Sequence, residues 1–411
     1  MTATNKKNIA VFFGGRSVEH DVSVLTALQF IEALSPLKYS PLPVYVDPLG
    51  QFWGGEALLD RSNYPIDAEK MALSQLHLDI SASQGGNPLL YTERKKLFGS
   101  ERIEYPFDLA VPAIHGSNGE DGTLQGLFDF AAIPYAGCRP LAASSTMDKG
   151  FTKHILRTVS VPCLPDLILK RPKKGTYLED DHLAALLKEA LGSTPYPLIV
   201  KPCNLGSSVG VAKAEDPDDC MAAILSAFRM DHAVIIEPFV QNLTEYNIAV
   251  RRLADGSLET SAIEEPKRGS DLLDFQEKYM QGSKSGKKLG HKTGGSASEG
   301  MVSLGRTLNP DHLSKVQINQ LQENAKTAFD RLDLAGSVRI DFLSNRETGE
   351  IWLNEINTIP GSFAYFLWEA ASPSFSFLEL TDAIIQEGFQ LTKERSASTS
   401  SALGNASIFG A

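Results

Sequence analysis

The chain has 411 residues, of which 42% are hydrophobic and 22% charged, and this is enough for two or three domains with cores of their own. Its net charge of −11 at pH 7 argues against a nucleic-acid-binding protein, because such proteins usually carry a basic face. No apolar stretch approaches the length of a membrane span, and the apolar run near the N-terminus is too short for a signal peptide. The four cysteines form no CxxC pair, which favours reduced thiols in the cytoplasm.

Strands and helices alternate through the first third of the chain. The stretches "NIAVFFGG", "YSPLPVYVD" and "FDLAVPAIHG" have the composition of strands, and a helix is predicted from about Val18 to Leu34. A polar insertion over about residues 79–104 is predicted to form surface hairpins or loops. The alternation is typical of an open α/β domain with a parallel sheet.

The pattern changes after Met147. Helices are predicted at about residues 149–159, 216–229 and 313–332, and the strands of the last third look antiparallel. A Gly- and Lys-rich loop at about residues 266–300 has the length of a lid or of a disordered segment. The Ser- and Ala-rich residues 393–411 lack periodicity, so we expect them to form a disordered tail.

Two acidic strands near the C-terminus carry the first chemical signal. In "IWLNEIN" the side chains of Glu355 and Asn357 point to one face. If residues 347–349 form a three-residue hairpin loop, Asp341 of "SVRIDFL" lies across from Glu355, and Arg339 lies across from Asn357. Opposed carboxylates repel each other, so a cation is expected between them.

The alternative for this hairpin is a solvated surface element whose charges face water. Against it, the same face is predicted to carry Leu343 and Leu353, and both strands are rich in β-branched and aromatic residues. Oxygen ligands from Asp, Glu and Asn suit Mg²⁺, which proteins hold through one or two carboxylates together with substrate phosphates.

A Gly-rich loop in "IVKPCNLGSSVGVAKA" is the second signal. A strand ends at Lys201, and Gly206, Ser207 and Ser208 let backbone N–H groups surround an anion. The loop is not a Walker A motif, and on its own an ordinary hairpin loop explains it equally well. Next to a hairpin of metal-binding carboxylates, however, it indicates chemistry on a nucleotide and a metal.

Three weaker signals complete the set. In "VIIEPFVQNLTEY", Glu237 and Glu245 could flank an adenine and a ribose, although an ordinary linker is the better interpretation of these residue types. The turns in "FFGGRSVEHDVS" and "PAIHGSNGEDGTLQG" open on the edge where ligands of α/β sheets bind. Glu19 and an exposed His115 would then share one pocket, though a lone His at such a turn is more often structural.

Taken in chain order, these segments resemble the D-alanine–D-alanine ligase family of the ATP-grasp superfamily. The resemblance is carried by "GGRSVEHDVS", "HGSNGEDGTLQG", "STMDK", "VKPCNLGSSVGV", "EKY", "RIDF" and "NEINTIPG", and it runs from about Ile9 to about Gln390. It implies a fold with α/β and α+β parts. An N-terminal α/β domain at 1–145 would precede a two-part ATP-grasp fold, with a central subdomain at 146–240 and a C-terminal subdomain at 241–392.

The resemblance also implies roles for the matching residues. ATP would be bound by Lys149, Lys201, Gly206, Ser207, Ser208, Glu237, Val240, Glu245 and Lys278. Two Mg²⁺ or Mn²⁺ ions would be held by Asp341, Glu355 and Asn357. The catalytic residues would be Glu19, Ser207, Tyr279, Arg339 and Gly361, and the amino-acid substrate would contact Glu19, His115 and Ser362.

The implied reaction is the ATP-dependent joining of two D-alanines through a D-alanyl phosphate, giving D-Ala–D-Ala, ADP and phosphate for peptidoglycan synthesis. The implied protein is a cytoplasmic homodimer whose partners are small molecules, with no nucleic acid and no membrane. A nucleotide-binding regulator without turnover is the alternative from another class, and the complete set of phosphate and metal ligands argues against it.

One departure from the family pattern concerns the second substrate. The family has a polar residue after the "NTxPG" turn that holds the carboxylate of the second amino acid, and Phe366 occupies the aligned position here. Ser362 and Tyr365 are the alternatives for that role. A different second substrate, such as D-serine, D-lactate or a peptide or antibiotic precursor, is therefore the competing prediction, although Tyr279 favours an amine acceptor over a hydroxy acid.

Overall fold

The computed structural model describes residues 6–174, 176, 178–192, 196–267 and 305–404, with side chains described as far as residue 395. The predicted lid residues Lys278 and Tyr279, and most of the 266–300 loop, lie outside the described residues. Within the described part, no helix is both long and apolar enough to cross a bilayer.

The N-terminal part is a seven-stranded mixed sheet in the order β6-β5-β4-β3-β2-β1-β7. Its strands are β1 Lys7–Gly14, β2 Tyr39–Val46, β3 Phe52–Gly54, β4 Ser74–Leu78, β5 Leu89–Lys95, β6 Ser100–Pro106 and β7 Leu109–Pro112. Its helices are α1 His20–Glu32, α2 Ile80–Gln84 and α3 Thr123–Phe130, and short 3₁₀ turns lie at Glu56–Leu59 and Arg61–Asn63.

The expectation of a parallel sheet is correct only for β1, β2 and β7. The strands from β3 to β6 join in antiparallel fashion, and the turns between β2 and β3 and between β5 and β6 are too short for a parallel crossover. The 79–104 insertion forms α2 and most of the β5–β6 hairpin, as expected of a surface hairpin. β1 is buried on both faces over residues 9–13, which explains its unbroken apolar run.

The central part is an antiparallel sheet in the order β10-β9-β11-β8. The strands are β8 Leu167–Lys170, β9 Leu198–Pro202, β10 Ala212–Ala214 and β11 Ala233–Pro238. The helices of this part are α4 Pro140–Met147, α5 Lys149–Thr158, α6 Asp180–Leu191 and α7 Pro217–Ala227. The Asp216 side chain accepts a hydrogen bond from the Asp219 N–H, and Pro217 follows it, so α7 begins where the sequence predicts.

The C-terminal part is a five-stranded antiparallel sheet in the order β14-β13-β12-β15-β16. The strands are β12 Leu243–Arg252, β13 Leu258–Pro266, β14 Arg306–Leu308, β15 Val338–Asn345 and β16 Ile351–Asn357. Helix α8 Lys315–Arg331 covers one face with Leu321, Ala325 and Phe329, and its N-terminus is fixed by a capping box from Ser314. The opposite face remains for the candidate site.

The chain ends with a 3₁₀ turn at Gly361–Ala364, α9 Tyr365–Glu369 and α10 Phe377–Gly404. The prediction of a disordered tail from residue 393 is wrong as far as Gly404, because α10 continues through the Ser- and Ala-rich segment. Extending a helix that has already formed needs no new nucleus, and Ala is the strongest helix former. Residues 405–411 lie outside the described residues.

Candidate active site

The acidic hairpin has the predicted register at the candidate site, for a reason that the sequence did not indicate. Asp341 lies across from Glu355, and Arg339 lies across from Asn357. The turn runs from residue 346 to 349, one residue longer than predicted, and Asn354 is then left unpaired as a β-bulge that restores the register.

The bulge also changes which side chains share a face. Leu353 pairs with Phe342 and is buried in the core under the sheet, so the prediction that it shares a face with Leu343 is wrong. Leu343 packs with Leu164 and Val240 instead. The bulged Asn354 reaches the candidate site, where its side-chain oxygen accepts a 3.0 Å hydrogen bond from Lys201 Nζ.

Asp341 is the most tightly held carboxylate of the hairpin. Arg339 donates to both of its oxygens, from Nε and Nη2 at 2.7 Å each, and the Asn357 amide donates at 3.0 Å. The described residues contain no group of three or more His, Cys, Asp or Glu side chains arranged around one metal position. Two carboxylates and an amide nevertheless fit Mg²⁺, because substrate phosphates and water normally complete its ligands.

A buried group of lysines surrounds Glu237 at the end of β11. Lys153 and Lys201 both form ion pairs with this carboxylate, the second at 2.7 Å. Lys149 lies at the start of α5, 4.0 Å from Glu355 and 2.5 Å from the Leu205 carbonyl. The predicted phosphate-binding lysines are thus brought together with the acidic hairpin.

Burial, followed by the ammonium of Lys153, lowers the pKa of Lys201, whereas Glu355 and Glu245 oppose this shift. Glu245, the predicted ribose ligand, is therefore close enough to act on Lys201 electrostatically. A phosphate placed among these lysines would stabilise their charged forms, since an opposite charge at short range offsets desolvation.

The Gly-rich loop is folded against the first strand-to-helix turn. Ser207 donates a hydrogen bond to the Glu19 carboxylate, so two predicted residues from distant motifs meet. Ser207 and Ser208 have φ of 52° and 59°, in the left-handed region. A Cβ on Gly206 would lie 2.8 Å from Glu19 Oε2, so another residue at this position would displace the Glu19 carboxylate.

His115 is buried rather than exposed, which corrects the sequence prediction. Its Nε2 lies 2.8 Å from the hydroxyl of Thr26, which also accepts the Ser362 N–H at 3.0 Å. Burial, and next the positive charge of Arg339, lower the pKa of His115 to about 4, so the ring is neutral at pH 7.

Glu120 ties the "GEDG" turn to the "NTIPG" turn. Its two carboxyl oxygens accept the N–H groups of Gly116 at 2.8 Å and of Ile359 at 3.0 Å. Burial and the neighbouring Glu19 charge raise the pKa of Glu120 to about 8. The contact fixes the backbone just before Gly361, where an added Cβ would meet nothing within 4 Å.

Ser362 is buried, and its hydroxyl donates to Gln29 of α1. One cavity brings together residues from several of these segments, and its lining includes Glu19, Glu120, Lys149, Gly206, Glu355 and Asn357. Sequence analysis assigned no role to Lys153, Glu120, Thr26 and Asn354. The spacing of Lys149 and Lys153, four residues apart on one helix face, was an available signal for the first of these. The other three depend on packing or on the bulge.

Comparisons with known proteins identify the family of the chain. Residues 8–138 match the family described as D-ala D-ala ligase N-terminus, and residues 155–293 and 303–386 match its C-terminus. A D-alanine–D-alanine ligase of Thermosipho africanus is 32% identical over 388 residues, covering 94% of this chain and 95% of that protein.

Two solved structures share the fold. The D-alanine–D-alanine ligase from Coxiella burnetii has a TM-score of 0.76 at 23% identity, covering 98% of this chain and 99% of that one. The VanG D-Ala:D-Ser ligase from Enterococcus faecalis has a TM-score of 0.70 at 25% identity, covering 93% and 100%. These likenesses confirm the expected fold, that of ATP-grasp ligases. The chain belongs to the D-alanine–D-alanine ligase family.

Proposed function

We propose that the protein joins two D-alanines at the expense of ATP, giving D-Ala–D-Ala, ADP and phosphate. The observation that carries this proposal is the meeting, around one cavity, of Lys149 with Glu355 and Asn357 of the acidic hairpin and with Glu19 of the N-terminal sheet. Phosphate-binding cations, candidate metal ligands and a carboxylate for an amino-acid ammonium group are the parts that such a reaction needs.

The first step activates a carboxylate. A carboxylate oxygen of the first D-alanine attacks the γ-phosphorus of ATP, the bond from that phosphorus to the β-phosphate oxygen breaks, and ADP leaves. Lys149 and Lys201 neutralise the phosphates as charge moves, and Glu19, held by Ser207, orients the ammonium group of the substrate.

The second step forms the peptide bond. The neutral amine of the second D-alanine attacks the carbonyl carbon of the D-alanyl phosphate, the carbon–oxygen bond to phosphate breaks, and the amine loses a proton. Gly361 offers its N–H to the developing oxyanion, and Arg339 lies beside the acyl phosphate. His115 lines the first amino-acid pocket as a neutral group, in keeping with its lowered pKa.

Two Mg²⁺ or Mn²⁺ ions are proposed at Asp341, Glu355 and Asn357, where they would offset the negative charge of the phosphates. Glu237 and Val240 are proposed to flank the adenine, with Glu245 at the ribose and Ser208 and Lys278 at the phosphates. Tyr279 is proposed to tie the 266–300 lid to Ser207 and Glu19. Domain limits at 145 and 240, a cytoplasmic location and a homodimer complete the proposal.

The test is ADP release by the purified protein with Mg²⁺-ATP against a panel of D- and L-amino acids, followed by the product mass. D-alanine alone should drive turnover and give D-Ala–D-Ala. ADP release that ignores the amino acids would contradict the proposal. A product formed only with D-serine, D-lactate or a peptide would show that the pocket near Phe366 accepts another second substrate.

A further inference from the structure

The face of the C-terminal sheet that carries the candidate metal ligands continues well beyond them. Asp341 lies across from Asn247 of β12, which in turn lies across from Glu264 of β13. Directly opposed residues of antiparallel strands share a face. A 3.0 Å hydrogen bond from the Asn247 amide to Glu264 agrees with this. A row of polar side chains therefore crosses the sheet, from Glu355 on β16 to Glu264.

Arg306 of β14 stands at the far end of this row. Its Nη1 lies 3.2 Å from Glu264 Oε1, and the side chains of both residues are largely buried, with 13% and 7% exposed. Its guanidinium lies 4.0 Å from the centre of the Phe366 ring. Strands are about 4.8 Å apart, so Glu264 lies roughly 10 Å from Asp341, a gap that an amino acid can span.

The order of the strands decides from which side a second amino acid can approach. Lys149 and Lys201 lie at the β16 edge of the site, next to Glu355 and Asn354. We call this edge, with its lysines and carboxylates, the phosphate end. A nucleophile attacks an acyl carbon through a face of the carbonyl plane, and the phosphate repels the negative carboxylate of an amino-acid nucleophile, so this carboxylate has to lie on the side away from the phosphate end. On this sheet that side is the floor formed by Asn247 and Glu264.

A second amino acid brings a carboxylate into this largely buried region, and a buried carboxylate needs a cationic partner. Arg339 is held by Asp341, one of the candidate metal ligands, through two hydrogen bonds. A guanidinium is a planar fork that matches a carboxylate and can serve two of them at different edges. Stacking on Phe366 holds the plane of Arg306 in place.

We propose that Arg306 is a specificity-determining residue that binds the carboxylate of the second amino acid, with Phe366 as its stacking platform. Glu264, Arg306 and Phe366 then form the acceptor end of the site. The proposal rests on the proposed function and deepens it. It explains how an aromatic residue can stand at position 366, where the sequence comparison expects a polar one: the cation comes from β14, and the ring supports it.

The decisive experiment separates formation of the acyl phosphate from its use. Hydroxylamine has no carboxylate, so trapping of D-alanyl hydroxamate from D-alanine and ATP measures the first step alone. Dipeptide formation from D-alanine, and amide formation with D-alaninamide as acceptor, measure the second step with and without an acceptor carboxylate. The variants are Arg306→Met and Arg306→Lys.

We expect Arg306→Met to keep hydroxamate formation within about threefold, while the KM for the acceptor D-alanine rises about 10- to 100-fold, the range for losing a charged hydrogen bond. The preference for D-alanine over D-alaninamide should shrink by the same factor. Arg306→Lys keeps a charge without the planar fork, so its KM for the acceptor D-alanine should lie between those of the wild type and Arg306→Met. It replaces the Met variant if that variant does not fold.

Arg251 provides a matched control. It is also 13% exposed, pairs with a glutamate of β13 at 2.6 Å and stacks 3.8 Å from the Phe375 ring, but it lies four residues along β12 from Asn247. Arg251→Met should leave the acceptor KM unchanged. An equal acceptor KM in both Met variants, or parallel loss of hydroxamate and dipeptide in Arg306→Lys, would overturn the inference. Absence of hydroxamate with the wild-type chain would instead contradict the proposed function itself.

Discussion

The phosphate end and the acceptor end of the site are built in different ways. At the phosphate end, Lys149, Lys201 and Glu355 stand on strands or on the first turn of a helix, and each belongs to a short motif such as "VKP" or "NEIN". At the acceptor end, Glu264, Arg306 and Phe366 come from segments about forty to one hundred residues apart and meet only by packing. Motif-based chemistry can be predicted from sequence, whereas chemistry that arises between distant segments cannot.

The largest effect is expected from the acidic hairpin. Glu355→Ala should lower kcat by at least about a thousandfold, since it removes a candidate metal ligand that also faces Lys149, and the fold should survive. Steady-state ADP release, with circular dichroism as a check on folding, measures this. Glu350→Gln, an exposed change directly after the turn of the same hairpin, is the control and should be neutral. Normal turnover in Glu355→Ala would rule out the metal assignment.

A buried charge at the same end gives the next largest effect. Lys153→Met should destabilise the protein by about 3 kcal/mol, because Glu237 loses one of its two cationic partners in a buried place. Denaturant unfolding measures the loss, and adding Glu237→Gln to the variant should recover part of it. His154→Gln, an exposed change on the same helix, should leave stability unchanged. If the double variant were less stable than Lys153→Met, the buried pair would not be the cause.

The hairpin illustrates how far the sequence could lead. The three-residue turn was inferred from a Gly-containing segment, and the opposition of Asp341 and Glu355 is confirmed, yet two features of the structure compensate each other to produce it. A longer turn and a bulge at Asn354 each shift the register by one residue, and such a shift moves every side chain to the other face. The prediction includes neither the longer turn nor the bulge, and it therefore places Leu353 on the wrong face of the hairpin.

The N-terminal domain teaches the same lesson for residue environments. The edge on which their turns open predicts a pocket shared by Glu19 and His115, but the cavity of the candidate site is lined by Glu19 and not by His115. The burial of His115 could not be predicted, because its ring contacts Thr26, which accepts a hydrogen bond from Ser362, 336 positions away in the chain. Sequence patterns report the element that carries a residue, not the segment that covers it.

The neutral state of His115 gives a pH-dependent test of this burial. The unfolded chain takes up a proton near pH 6.5, whereas the folded chain does so only near pH 4, so stability falls as the pH drops between these values. By pH 4 the protonation of this group in the unfolded chain lowers the free energy of unfolding by about 3 kcal/mol. His115→Asn should lose this part of the acid dependence in denaturant unfolding measured from pH 7 to pH 4.5, while His154→Asn should keep it. Parallel curves for wild type and His115→Asn would mean that the ring is not buried in its neutral form.

The smallest effect is expected at the bulge. In Asn354→Ala, Lys201 loses a neutral acceptor but keeps its ion pair with Glu237, so the KM for ATP should rise only about fivefold, as for one hydrogen bond of about 1 kcal/mol. The backbone of the bulge does not need the amide, and kcat should change little. ATP titrations at saturating D-alanine measure both constants, with Asn354→Asp, which keeps an acceptor oxygen, as the control. A loss of kcat as deep as that of Glu355→Ala would mean that the Asn354 side chain itself sets the register, and that the metal-binding face of the hairpin depends on this one amide.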